Sequence, residues 1–72
     1  MGTLENWQAI EIAANVSGFG DIVNQAHENA CTKADNIEDP VYTDACFSTL
    51  MMLLAYSDEA TQDFFTKQGV FA

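Results

Sequence analysis

Apolar positions along this chain recur at helical spacing, in four blocks separated by short polar or glycine-bearing breaks. In the first block Leu4, Trp7, Ile10 and Ala14 fall on one stripe of a helix, which Ala9, Ile12, Ala13 and Val16 widen. Gln8, Glu11 and Asn15 share the narrow remaining face. Thr3 suits the N-cap, and the pattern runs to about Ser17. Trp7 reads as a core anchor near one end of a bundle, with an exposed binding Trp as the alternative. Ser17-Gly18-Phe19-Gly20 then breaks the period. Gly18 suits a left-handed helix stop, and Phe19 is placed to tuck back onto the core.

The second block starts at Asp21 as N-cap and extends to about Asn36. Its inner stripe is Val23, Ala26, His27, Ala30 and Ala34. Small residues there allow close approach but bury little area, so this helix has the weakest hydrophobic drive. Asp39-Pro40 opens the third block. The Asp carboxylate accepts an orphan N–H, and Pro at the first helical position gives up only an N–H that had no partner. The run Leu50-Met51-Met52-Leu53-Leu54-Ala55-Tyr56 is apolar on every face, which predicts a central helix enclosed by neighbours. Thr43, Asp44 and Thr49 are its few polar positions. Ser57 is the expected cap of a fourth helix, with Asp58 and Glu59 in its first turn. Ala60, Phe64 and Phe65 form its inner face, Gly69 is its stop, and Val70 packs back on Phe65. Phe71 either packs or frays. The expectation is one all-α domain over residues 1–72: a small bundle of about four short helices with a central apolar third helix.

With 72 residues the core is small, and 49% hydrophobic residues is ordinary for a folded chain. Charge changes the picture. Eleven Asp and Glu oppose two Lys, giving a net charge of −9. Direct nucleic-acid binding and anionic membranes are thereby disfavoured, and a basic protein surface is the natural partner. Simple solubilisation is the alternative meaning of the charge. No secretory leader is legible, Asn6 spoils a myristoylation signal at Gly2, and the longest apolar run is about half a bilayer span. A cytoplasmic setting with reduced thiols is expected.

Chemistry-bearing residues are few. His27 is the only histidine, and it stands at i, i+4 with Cys31. Cys46 adds a third potential ligand, but no Cys-x-x-Cys spacing accompanies it, so neither metal nor cofactor is expected. A Cys-His nucleophile pair lacks an evident orienting group, and no enzyme is expected. Cys31 and Cys46 lie about two turns either side of the Asp39-Pro40 corner, a disulfide-compatible height, but two reduced, buried thiols are the preferred reading.

The chain is similar in size and charge to acyl carrier proteins, but Asp21-Ile22-Val23 stands where their Asp-Ser-Leu attachment motif would open the second helix. Its profile also resembles phage-encoded nucleic-acid mimics, including anti-CRISPR and anti-restriction proteins. That resemblance implies a non-enzymatic inhibitor whose carboxylates stand in for phosphates on a basic nucleic-acid-binding surface. Asp35, Glu38, Asp39 and Asp44 around one turn, and Asp58, Glu59 and Asp63 at the last helix, are the candidate partner-binding residues. The alternative is a self-associating structural or regulatory helical module, a homodimer held by apolar contacts, motivated by the Phe, Met and Leu of the last third.

Overall fold

A computed structural model describes residues 3–70, and these form four helices and no strand. The N-cap predicted for α1 (Leu4–Val16) is formed: Thr3 Oγ1 accepts from the Asn6 N–H at 3.1 Å. Gly18 ends the helix at φ 85°, and the Phe19 N–H reaches back to the Ala14 carbonyl at 2.8 Å. This returning bond turns the Phe19 ring onto the core, where it stacks on Phe64 at a centroid distance of 4.6 Å.

Helix α2 (Gly20–Cys31) begins two residues earlier than expected and ends well before Asn36. Phe19, not Asp21, occupies its N-cap and offers no side-chain bond. Asn36 instead builds the following turn: its Oδ1 accepts from the Glu38 and Asp39 N–H groups. That Asx-type bonding holds residues 36–39 in a turn instead of a helix. Asp39 then caps α3 (Pro40–Leu54), accepting from the Val41 N–H at 3.0 Å.

Helix α3 is the centre of the molecule. It contributes Tyr42, Ala45, Cys46, Phe47, Leu50 and Leu54 to the core. Val23, Ala26 and Ala30 of α2 pack on it most extensively, because small side chains let the two backbones approach. Trp7 of α1 is fully buried and meets Phe47 edge to face at 5.4 Å. Thr43 and Thr49 also turn inward, and Thr49 Oγ1 accepts from Asn29 Nδ2 at 2.7 Å.

Enclosure of α3 is incomplete, contrary to the expectation for residues 50–56. Leu50 and Leu54 are buried, but Met52 is 58% and Tyr56 89% exposed. The same correction applies to α1, where Ile12 is 66% and Val16 83% exposed. Both differences have one cause. Among the described residues, α2 and α3 pack on α1 through the Trp7, Ile10 and Ala14 ridge, and no further element covers the wider stripe. Glu11, expected outside, is half-buried instead.

Helix α4 (Glu59–Lys67) has Asp58, not Ser57, as its N-cap; Asp58 Oδ1 accepts from the Thr61 N–H at 2.9 Å. Ser57 Oγ donates to the Leu53 carbonyl. Ala60 is exposed, so the inner face is Phe65 with half-buried Phe64. The stop is a complete Schellman turn. Gly69 sits at φ 84°, its N–H bonds to the Thr66 carbonyl, and the Val70 N–H bonds to the Phe65 carbonyl. Phe71 lies outside the described residues.

Because α4 holds on through a few aromatic side chains, Phe65→Ala is expected to cost about 3–5 kcal/mol. In a domain this small that is a large share of the total, read as a lower urea midpoint. Gly18→Ala, with open space for its Cβ, is expected to cost only the left-handed backbone penalty, about 1–2 kcal/mol.

Candidate functional site

Two regions carry unexplained chemistry. The first lies where α1, α2 and α3 meet. His27 of α2 directs Nδ1 at the Tyr42 hydroxyl of α3, 2.6 Å away, with the two rings edge to face. One turn along α2, Cys31 Sγ lies 3.5 Å from His27 Nε2. Tyr42 is the orienting group that the sequence reading lacked.

The surroundings of this cluster are apolar. Burial pushes the Tyr42 phenol well above the usual range, with added effects from Cys46 and Glu11. Burial likewise pushes the Cys46 thiol up to about 11. Glu11 of α1 is raised by desolvation, an effect partly offset by His27. The Trp7 indole N–H is buried without a well-formed hydrogen bond, although it lies close enough to Tyr42 to ease the phenol's shift. Both cysteines are free thiols: Cys46 is buried, but Cys31, expected inside, is exposed. Cys31 emerges because it is the last residue of α2, one position past buried Ala30 and off the buried stripe.

The second region is the outer face of α3. Val41, Asp44, Ser48 and Met52 are exposed at helical spacings of three or four residues, and Tyr56, in the turn just past the helix, is exposed too. Asp44 and Ser48 were the clue in the sequence: extending their line along the helix lands on Met52 and Tyr56. Along the chain, six of the seven candidate carboxylates flank α3, and Asp44 lies on its exposed face. Asp35, Glu38 and Asp39 lie in the turn before α3, and Asp44 lies within its first turns. Asp58, Glu59 and Asp63 lie beyond its other end. The fifteen residues of α3 span ~22 Å between the turn that carries Asp35, Glu38 and Asp39 and the one that carries Asp58.

Among the described residues, Asp39 and Asp58 are the only two of the seven whose carboxylates accept hydrogen bonds, each with one oxygen capping its own helix. The Thr61 bonds hold the Asp58 carboxyl below its usual range. Two lysines can neutralise at most two of eleven acids, so most of the charge is uncompensated.

Among the described residues no three His, Cys, Asp or Glu side chains gather as metal ligands, and no helix is long and apolar enough to cross a membrane. No family model, curated protein or solved structure matches the chain.

The raised Glu11 carboxyl sets a pH dependence with a definite sign. The folded state holds this proton more tightly than the unfolded chain, so Glu11 costs stability as pH rises from about 4.5 through its folded value. Glu11→Gln is therefore expected to raise Tm at pH 7 and to lose that advantage at pH 4. Melting curves of both proteins at the two pH values check it.

Proposed function

We propose that this protein is a non-enzymatic, acidic binding module that docks on a basic surface of a nucleic-acid-binding protein and competes there with DNA or RNA. One observation carries the reading: the exposed stripe of α3 presents apolar side chains together with Asp44, and six further candidate carboxylates flank the helix along the chain. These carboxylates would take the places of phosphates, while Met52 and Tyr56 supply area that survives high salt. The net charge of −9 would speed the encounter with a cationic partner. The mode of action would be that of phage-encoded mimics such as anti-CRISPR and anti-restriction proteins: occupancy of a Lys/Arg channel. A cytoplasmic setting belongs to the same proposal.

Exposure of Ile12 and Val16 favours a second reading, self-association through α1. The two readings separate by salt. Charge repulsion between identical copies makes a homodimer tighter at high salt, whereas binding to a cationic partner weakens there.

In the test, immobilised protein captures partners from cell lysate, and duplex DNA, RNA or salt is used to release them. Nucleic-acid-binding proteins eluted by nucleic acid support the proposal; a captured set indifferent to both nucleic acid and salt refutes it. The quadruple variant Asp35→Asn, Glu38→Gln, Asp39→Asn and Asp44→Asn keeps a competent cap at position 39. It is expected to weaken partner binding about tenfold at low salt, from roughly 0.3–0.5 kcal/mol per charge. Sedimentation that shows a dimer, abolished by Val16→Glu, would favour the second reading.

A further inference from the structure

The docking face leaves His27, Cys31, Tyr42 and Trp7 without a role. We propose that Cys31 is a thiol-modification site, tuned by His27 and positioned by Tyr42, that exchanges with small uncharged disulfides.

The argument is the direction of the donors. The Tyr42 phenol stays protonated because burial raises it. Its hydroxyl lies 2.6 Å from His27 Nδ1, where the O–H donates and the imidazole accepts. An imidazole that accepts at Nδ1 keeps its proton on Nε2. That N–H points at Cys31 Sγ, 3.5 Å away, where negative charge sits in the attacking form. So a phenol of α3 and an imidazole of α2 line up behind one exposed sulfur.

Other groups face the imidazole too. Glu11 approaches from α1, and Cys46 lies beside Tyr42 on α3. Cys46 is buried, so it does not compete for the reagent. An uncharged reagent is specified because a chain of net charge −9 repels anions.

The step is a simple exchange. Cys31 gives its proton to water, and the thiolate attacks one sulfur of R–S–S–R. A Cys31–S–S–R bond forms as the reagent's S–S bond breaks, and R–S⁻ leaves and takes a proton from solvent. The reagent is the oxidant, and no other is needed.

The probe is 4,4′-dipyridyl disulfide on the full chain, with thiopyridone release followed from pH 5 to 9 and the modified residue found by peptide mass mapping. One equivalent is expected to react fast at Cys31. It should react about tenfold faster at pH 7 than in the same chain unfolded in urea. His27→Gln should remove that advantage, and Tyr42→Phe should reduce it and move the pH profile while circular dichroism stays helical. Should His27→Gln fail to fold, the Tyr42→Phe profile and the urea comparison decide. Equal rates in folded and unfolded chains, or profiles unchanged in the folded variants, overturn the proposal.

Discussion

The structure depends on the packing of α2 against the inner side of α3. Ala26 and Ala30 give α2 a nearly flat face, and α3 fills it with Tyr42, Cys46, Leu50 and their neighbours. The alanines contribute little burial themselves. Their value is steric, because they let the larger side chains of α3 reach the α2 backbone and exclude water. Trp7 and Ile10 close the second side and Phe65 the third. A chain of this length buries only about 60% of the surface its unfolded form exposes. One side of α3 must therefore remain open, and Val41, Met52 and Tyr56 mark it.

Acidic residues are compatible with this fold because of where they lie. Asp39 and Asp58 sit at helix N-termini, where the positive end of the dipole and unpaired N–H groups favour a carboxylate. Their local effect stabilises the termini against the general repulsion of a chain with net charge −9. The same placement sets two carboxylates at the starts of α3 and α4.

Elements with a local cause were legible in the sequence. Thr3, Asp39-Pro40, Gly18 and Gly69 act through their own backbone neighbours, and each is found where its chemistry requires. Asp58 displaced Ser57 as cap by a single residue, since an ionised oxygen is the better acceptor for the Thr61 N–H. What failed was inference about faces. Apolar residues on all sides of 50–56 implied enclosure, but enclosure depends on how many neighbours exist, and α4 is only nine residues long. Ile12 and Val16 were misplaced for the same reason. Tyr42 as partner of His27 joins residues fifteen apart across two helices, a relation no helical period records.

That pairing also bears on why the centre of this core is polar at all. A Phe in place of Tyr42 would fill similar volume and leave no hydroxyl to satisfy. The hydroxyl instead bonds His27, and an indole N–H is left without a well-formed partner beside it. A buried donor in that state costs stability rather than adding to it. In a domain of 72 residues, with little core to spare, simple packing would not select this arrangement. The imidazole, however, gains a fixed orientation from Tyr42, and its other nitrogen reaches an exposed sulfur. The polar chain makes physical sense as a means of carrying order from the rigid core to Cys31 at the surface.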